Sequence, residues 1–132
     1  RLLELTDHVD NVVGQLRVNA IAPVLLVSEI FQSHWKHCPE DNSARNRSVV
    51  NVSSISGHLV GEPQGQGYYA ASKAALDVLS MYQALELAPY SVRVNTVCPS
   101  RMSDRAGCRR VVQAIRGLLT GTDTGTHISG IP

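Results

Sequence analysis

Charge of either sign is scarce in this sequence. Only 17% of its 132 residues are charged, and the formal net charge is +1 at pH 7. A chain with so little basic excess lacks the electrostatic footprint of a protein whose main partner is nucleic acid. Because 43% of the residues are hydrophobic, the composition also excludes a disordered chain and predicts one core, as expected for a domain of this size.

Cysteines and long apolar segments are also few. Cys38, Cys98 and Cys108 are an odd number without C-x-x-C spacing, which disfavours a disulfide framework and favours a reducing cytoplasm. The longest apolar run, around residues 24–27, is far shorter than the roughly 18 residues of a membrane span, and no signal peptide is recognisable. We therefore expect a cytoplasmic protein without membrane or nucleic-acid partners, and we expect that Arg1 is not its natural translation start.

Candidate metal ligands are sparse as well. His34, His37 and Cys38 bring three donor groups together near the end of a predicted helix. The pattern H-x-x-H-C matches no strong zinc motif, and a fourth ligand is absent nearby. A polar helix end is the ordinary explanation, so the sequence predicts no metal site.

The sequence does contain an alternation of helical and strand-like segments. Apolar residues at three- and four-residue steps predict one long helix over residues 7–36, which Pro23 should kink near Asn19. The remaining predicted elements are a polar loop at 38–46, a strand at 48–52, a glycine-rich loop without regular structure at 53–67, a helix at 69–87, a strand at 91–97, a helix at about 109–119 and a short strand at 127–131.

This order of elements predicts an α/β fold. Strands separated by helices form right-handed crossovers and therefore a parallel sheet, here of about three strands, covered by helices. In such sheets ligands bind at the carboxyl ends of the strands. We therefore expect the site where Ser53-Ser54 and Cys98-Pro99 follow the two main strands.

Two patterns overlap in the segment GQGYYAASK, residues 65–73. Residues 65–70 fit G-x-G-x-x-A, a pattern typical of a turn that holds a dinucleotide pyrophosphate. Such a turn follows a strand at once and precedes an acidic residue by about 20 positions. Here the predicted strand ends near Val52, well before Gly65, and Glu86 lies on the same predicted helix. The context disfavours a pyrophosphate turn, and we interpret these glycines as loop residues.

The second pattern is the Y-x-x-x-K pair formed by Tyr69 and Lys73. A spacing of four places both side chains on one helix face. The ammonium group there favours phenolate over phenol, so that the tyrosine can give or take a proton. The pair alone is weak evidence, since an exposed helix pair looks the same. Its place between Ser53-Ser54 and Pro99 brings a hydroxyl donor, a tunable phenol and a backbone clamp to one crevice.

Taken together, four segments resemble the short-chain dehydrogenase/reductase family. They are Val18-Asn-Ala20, Val50-Asn-Val-Ser-Ser54, Tyr69-Ala-Ala-Ser-Lys-Ala-Ala75 and Arg93-Val-Asn-Thr-Val-Cys-Pro99. The likeness runs over nearly all of residues 3–131, and residues 18–23 are similar to the pteridine-reductase branch. The resemblance implies a partial Rossmann-type sheet, NADP or NAD as cofactor, and hydride transfer between nicotinamide and a carbonyl, alcohol or pterin-like substrate.

The resemblance also implies catalytic roles. Tyr69 would be the acid/base, Lys73 would hold the nicotinamide ribose hydroxyls, and Asn19 would hold a water that relays protons to Lys73. Ser54 would hydrogen-bond the reacting oxygen. Ser56 is nearer the family's usual spacing to Tyr69, whereas the strand-end motif favours Ser54, so both serines stay open.

Beside the nicotinamide, the resemblance implies a loop that begins at Pro99. Met102 and Ser103 would supply contacts in this loop. Ser100 stands where the family usually has glycine, and its Cβ restricts the backbone there.

The resemblance covers only part of the family pattern. The usual first β-α-β unit with its glycine-rich turn is not in the sequence, so we expect residues 1–132 to be a single truncated domain without the N-terminal dinucleotide-binding half. Family dimers form mainly through the helices that correspond to residues 7–36 and 69–87, which predicts a homo-oligomer. Two functions stay open: the catalytic half of an oxidoreductase, or a truncated non-catalytic relative that acts as a subunit or interaction module.

Overall fold

A computed structural model describes residues 9–60, 65–99 and 105–122. The first described element is a long helix with one interruption. It consists of α1 (Val9–Leu16), a π-helical turn (Arg17–Ile21) and α2 (Ala22–Ser33). Pro23 has no N–H for the carbonyl of Asn19, and the N–H of Ala22 donates to the carbonyl of Arg17. At the place where we predicted a kink, near Asn19, the structure has this π-helical turn. A 3₁₀ turn, Trp35–His37, follows the helix.

The loop predicted at 38–46 is wrong, because a short helix, α3 (Pro39–Ala44), forms there. Pro39 occupies its first turn, where a missing N–H costs nothing, and Glu40 and Asp41 lie at its positive end. Arg45 donates to Asp41 across 2.7 Å, and this hydrogen bond holds the pKa of Asp41 below its usual value. Pro39 and the acidic residues after it therefore start a helix in the segment that we predicted to be a polar loop.

The two predicted central strands pair in parallel, as predicted. β1 (Ser48–Val52) runs beside β2 (Arg93–Val97), in register from Ser48 opposite Arg93 to Val52 opposite Val97. The crossover between them is α4 (Gly67–Leu87), followed by a 3₁₀ turn over Ala88–Tyr90. β2 starts two residues later than predicted because Ser91 takes a left-handed conformation, with φ of 58°. The third predicted strand, 127–131, lies outside the described residues.

Helices cover both faces of this sheet. On one face, Asn51 donates to Ser80 of α4, and Val27, Leu87 and Val92 form a buried cluster. On the other face lies α5 (Arg105–Thr120), four residues longer at its start than predicted, and the side chain of Arg93 donates to its Leu118 carbonyl. The α/β architecture is confirmed for the described residues.

One described helix is long and apolar enough to cross a membrane by length and composition alone. It spans Val9–His37 and has a mean hydropathy of 1.3. Core helices of soluble proteins meet the same criterion, and this helix contacts α4 through its π-helical turn. The helix is therefore weak evidence for a membrane span.

Candidate functional site

The carboxyl ends of the two strands meet, as parallel pairing requires. The N–H of Ser53 donates to the Val97 carbonyl at 2.8 Å, and the N–H of Ile55 donates to the Pro99 carbonyl at 3.1 Å. Ser54 lies between these two bonds and is buried. The residues that follow β1 and β2 are thus held side by side by backbone hydrogen bonds.

Lys73 reaches this strand end from the first turns of α4. Its Nζ donates to the Val52 carbonyl at 2.8 Å, and Ser53 Oγ donates to the Lys73 carbonyl at 3.2 Å. The same Nζ lies 5.9 Å from the centroid of the Tyr69 ring, which is within the range of a cation–π contact. The structure therefore brings the phenol ring, the ammonium group and the end of β1 together.

The two candidate serines differ in their surroundings. Ser54 Oγ accepts the N–H of Ser56 at 3.2 Å and caps a 3₁₀ turn over Ile55–Gly57. This turn corrects the prediction that residues 53–67 contain no regular element. A capping hydroxyl still has its own proton to donate, so capping leaves Ser54 able to hold an oxygen, and Ser56 contributes its backbone to the same turn.

Asn19 points to α4 but not to Lys73. Its Nδ2 donates to Ser72 Oγ at 3.1 Å, and Ser72 Oγ donates to the Tyr69 carbonyl at 2.7 Å. Ser72 is completely buried. Sequence reasoning missed this link, although a serine inside the Y-x-x-x-K segment was its signal. The link ties the π-helical turn to the backbone of Tyr69.

The remaining predicted contacts are only partly described. Pro99 ends the described strand-end segment and accepts from Ile55, while Met102 and Ser103 lie outside the described residues. Among His34, His37 and Cys38, the residues weighed as metal ligands in the sequence, Cys38 Sγ donates to the His34 carbonyl at 3.2 Å. Two cavities, of about 540 and 520 Å³, lie at the amino side of the strands, near Arg93 and Trp35. His34 and Cys38 line the second cavity, and none of the described residues predicted to be catalytic or cofactor-binding lines either one.

Three side chains form a group that the sequence did not reveal. They come from the residue after the turn that Ser54 caps, from α4 and from the end of β2. His58 Nε2 is 3.0 Å from Asp77 Oδ2 and 3.6 Å from Cys98 Sγ. Burial, and next the charge of Asp77, raise the pKa of the Cys98 thiol, while a hydrogen bond from Ser53 opposes this rise. Because these residues come from a loop, a helix and a strand end, no local spacing could have indicated the group.

Comparison with known proteins identifies relatives of this chain. A family model described as enoyl-(acyl carrier protein) reductase matches residues 31–115, which is more than half of the chain. Cyclopentanol dehydrogenase from Comamonas sp. is 48% identical over 114 residues, covering 74% of this chain and 44% of that protein.

Solved structures give the same result. A short-chain dehydrogenase/reductase family oxidoreductase from Brucella ovis, crystallised with partially ordered NAD, matches with a TM-score of 0.65 and 35% identity, over 81% of this chain and 45% of that one. A metagenomic short-chain oxidoreductase in complex with NADP matches with a TM-score of 0.56 and 26% identity, over 88% and 46%. The chain thus spans less than half the length of each of these relatives. By its family model, its curated relatives and its fold, this chain belongs to the short-chain dehydrogenase/reductase family.

Proposed function

We propose that this chain is the catalytic half of an NAD(P)-dependent oxidoreductase that interconverts a carbonyl compound and an alcohol, with Tyr69 as acid/base. The observation that carries the proposal is the position of the Lys73 ammonium, hydrogen-bonded to the Val52 carbonyl and 5.9 Å from the centroid of the Tyr69 ring. A cation beside a phenol suits acid/base chemistry by tyrosine. The position of the pair supports a proton step near the carboxyl end of a parallel sheet, where ligands of such sheets bind.

The donor set fits a nicotinamide nucleoside. Lys73 has three N–H donors and uses one on Val52, so two remain for ribose hydroxyls, and the Tyr69 ring lies beside them. When bound, the nicotinamide supplies a hydride to a carbonyl carbon or accepts one from an alcohol carbon. The choice between NADP and NAD belongs to the adenosine side, which this chain's predicted residues do not contact.

The chain's own residues handle the proton and the oxygen. In reduction, the Tyr69 hydroxyl transfers its proton to the substrate oxygen as the carbon–oxygen double bond becomes a single bond, and in oxidation the proton returns. Ser54 donates a hydrogen bond to the oxygen while negative charge develops on it. Pro23 has no N–H, so the Asn19 carbonyl lacks the usual i+4 donor of a helix. In the proposed mechanism Asn19 holds the water that resupplies the proton by way of Lys73.

The substrate class follows from the relatives as part of the proposal. The likeness to cyclopentanol dehydrogenase favours secondary alcohols and ketones, and the pterin-like class stays as a further possibility to assay. We propose the cytoplasm as its location, since Cys38 and Cys98 are free thiols.

The test combines cofactor binding with turnover. We expect saturable binding of NADH or NADPH to the chain in calorimetric titration, weakened by Lys73→Met because the ribose loses its donors. Tyr69→Phe should retain cofactor binding and lower kcat/KM for a panel of cyclic and linear alcohols and ketones by about 10²- to 10⁴-fold, the usual contribution of an acid/base.

Tyr82→Phe is the matched control, because Tyr82 is an exposed tyrosine on the same helix. It should leave both binding and turnover unchanged. Turnover by Tyr69→Phe within threefold of the parent chain would contradict the role of Tyr69, and failure to bind either cofactor would contradict catalysis by this chain.

A second candidate is a non-catalytic subunit or interaction module. Exposed apolar residues of the π-helical turn, α2 and α4, among them Val18, Leu25 and Leu85, favour it because large exposed apolar surfaces mark contact sites. Cofactor binding separates the two candidates, since an interaction module has no need to retain it.

A further inference from the structure

Three potential metal ligands converge on one small space behind the strand ends. His58 follows the 3₁₀ turn, Asp77 lies on α4 and Cys98 follows β2. One donor atom from each residue lies within 4.8 Å of the other two. Imidazole, carboxylate and thiolate are the three side-chain groups that bind Zn²⁺ in proteins.

The separations between these donors resemble those of a tetrahedral zinc site. With Zn–S, Zn–N and Zn–O bonds of about 2.3, 2.05 and 2.1 Å, tetrahedral angles put nitrogen and sulfur about 3.6 Å apart, nitrogen and oxygen about 3.4 Å, and sulfur and oxygen about 3.6 Å. His58 Nε2 lies 3.6 Å from Cys98 Sγ and 3.0 Å from Asp77 Oδ2, each within about half an ångström of the tetrahedral value. Cys98 Sγ lies 4.0 Å from the other carboxylate oxygen, Asp77 Oδ1. One donor atom of each residue lies within 4.8 Å of the other two, so side-chain adjustments would bring the three to a tetrahedral arrangement.

Asp77 gives an independent reason to expect a ligand. The residue is only 8% exposed, and its buried Oδ2 has no hydrogen-bond partner of acceptable geometry among the described residues, although His58 Nε2 lies 3.0 Å away. A buried carboxylate oxygen without a hydrogen bond is costly. A cation shared with His58 would satisfy it without requiring a linear hydrogen bond between the two.

Charge and access also suit a divalent ion. An Asp77 carboxylate and a Cys98 thiolate together balance two positive charges, and a neutral imidazole adds none. His58 is exposed and Cys98 is half-buried, so the ion has a path from solvent and a fourth position for water. We propose that His58, Asp77 and Cys98 bind one zinc ion or a similarly borderline-soft divalent cation.

Such an ion would join three elements that carry the candidate active site. His58 lies four residues beyond Ser54, and its N–H bonds the Ile55 carbonyl. Coordination would therefore tie the turn that carries Ser54 to α4 and to the end of β2. This inference stands apart from the proposed oxidoreductase activity, because its test reads the metal directly.

The test is a cobalt and zinc titration of the chain after dialysis against a chelator. Co²⁺ should bind with one-to-one stoichiometry and give tetrahedral visible bands with a thiolate-to-cobalt charge-transfer band, and added Zn²⁺ should remove both. Cys98→Ser should abolish the charge-transfer band. His58→Ala should weaken Zn²⁺ binding at least tenfold. His58 is exposed, so we expect this variant to fold, whereas a change at buried Asp77 would also alter the core.

Cys38→Ser and His34→Ala are matched controls on a half-buried thiol, like Cys98, and an exposed imidazole, like His58. Both should bind Co²⁺ and Zn²⁺ like the parent chain. The absence of a thiolate band, its survival in Cys98→Ser, or unchanged zinc affinity in His58→Ala would each overturn the proposal and leave an ordinary His58–Asp77 ion pair.

Discussion

At the residue scale, Lys73 makes two hydrogen bonds to the end of β1, one through its side chain and one through its backbone carbonyl. Its hydrogen bond to the Val52 carbonyl fixes the ammonium group at the end of β1, and its own carbonyl is held by Ser53. A lysine side chain is long and loses considerable rotamer freedom when it is fixed. Both ends of this residue are therefore ordered relative to the strand before any ligand arrives, which favours a positioned charge over a solvated one.

The choice between the two serines is a residue-scale prediction. Ser54 is buried between backbone hydrogen bonds that join the strand ends. We therefore expect its hydroxyl to donate a hydrogen bond to the substrate oxygen. Ser54→Ala should lower kcat about 10²- to 10³-fold, as loss of an oxyanion donor does. Ser56→Ala should change kcat by less than threefold, since it is the Ser56 N–H that bonds Ser54. Steady-state assays with a substrate that the panel of alcohols and ketones identifies decide between the two serines, and the reverse ranking would transfer the role to Ser56.

At the element scale, the 3₁₀ turn after β1 packs so closely against α4 that no side-chain atom fits at Gly57. A Cβ placed on Gly57 would lie 2.9 Å from the Ala74 nitrogen and 3.2 Å from the Lys73 carbonyl carbon. Both are backbone atoms of a helix and cannot rotate away. The contact therefore fixes how closely the segment that carries Ser54 approaches the segment that carries Lys73.

Gly57→Ala should consequently destabilise the chain, by about 1–3 kcal/mol in the free energy of unfolding, as overpacking does. Gly14→Ala is the matched control, because a Cβ on Gly14 meets nothing within 4 Å. Replacing this helical glycine should stabilise α1 by roughly 0.5–1 kcal/mol. Urea denaturation followed by circular dichroism measures both changes, and equal effects of the two variants would contradict the close approach at Gly57.

Elements with a clear period could be predicted, whereas elements set by distant contacts could not. A short β-branched segment predicted β1, and Pro23 predicted a break in helical regularity near Asn19, where the structure has a π-helical turn. The helix α3 was missed because Pro39 and Asp41 are common in loops and in first helical turns alike. What holds this region is buried Asn42, which donates to the carbonyls of Trp35 and Tyr90, and a contact over that sequence distance leaves no local pattern.

The same distinction applies to the candidate site. Tyr69 and Lys73 were found because four residues along a helix form a recognisable pattern. The link from Asn19 to Ser72 and the group of His58, Asp77 and Cys98 depend on how the loop, α4 and β2 pack. A sequence shows that such side chains exist, but their meeting is a property of the tertiary structure.

At the scale of the whole molecule, the described part of the chain leaves much apolar surface uncovered. β1 and β2 pair only with each other among the described residues, and Val52 at the end of β1 is 43% exposed. A two-stranded sheet has too little core to be very stable alone. Because relatives are more than twice as long as the part matched here, a longer chain or a second copy is expected to cover these surfaces.

The exposed apolar residues follow helical spacing on two elements. Val18, Ile21 and Leu25 lie along the π-helical turn and α2, and Val78, Tyr82 and Leu85 lie along α4. Three- and four-residue steps put each set on one helix face. Two such faces suit a self-complementary interface between two copies, in agreement with the homo-oligomer that the sequence predicts.

We therefore expect the chain to form dimers through these faces at micromolar concentration. Val18 and Leu85 are 70% and 71% exposed in the single chain, and burying each in an interface contributes about 1.5–3 kcal/mol. The double variant Val18→Lys/Leu85→Lys puts two charges into that interface and should be monomeric in sedimentation equilibrium. Val112→Lys is the control, because Val112 is 65% exposed on α5, away from both faces, and should leave the dimer intact. A parent chain that stays monomeric over the same concentrations would contradict the interface and favour a longer chain as the cover of these helices.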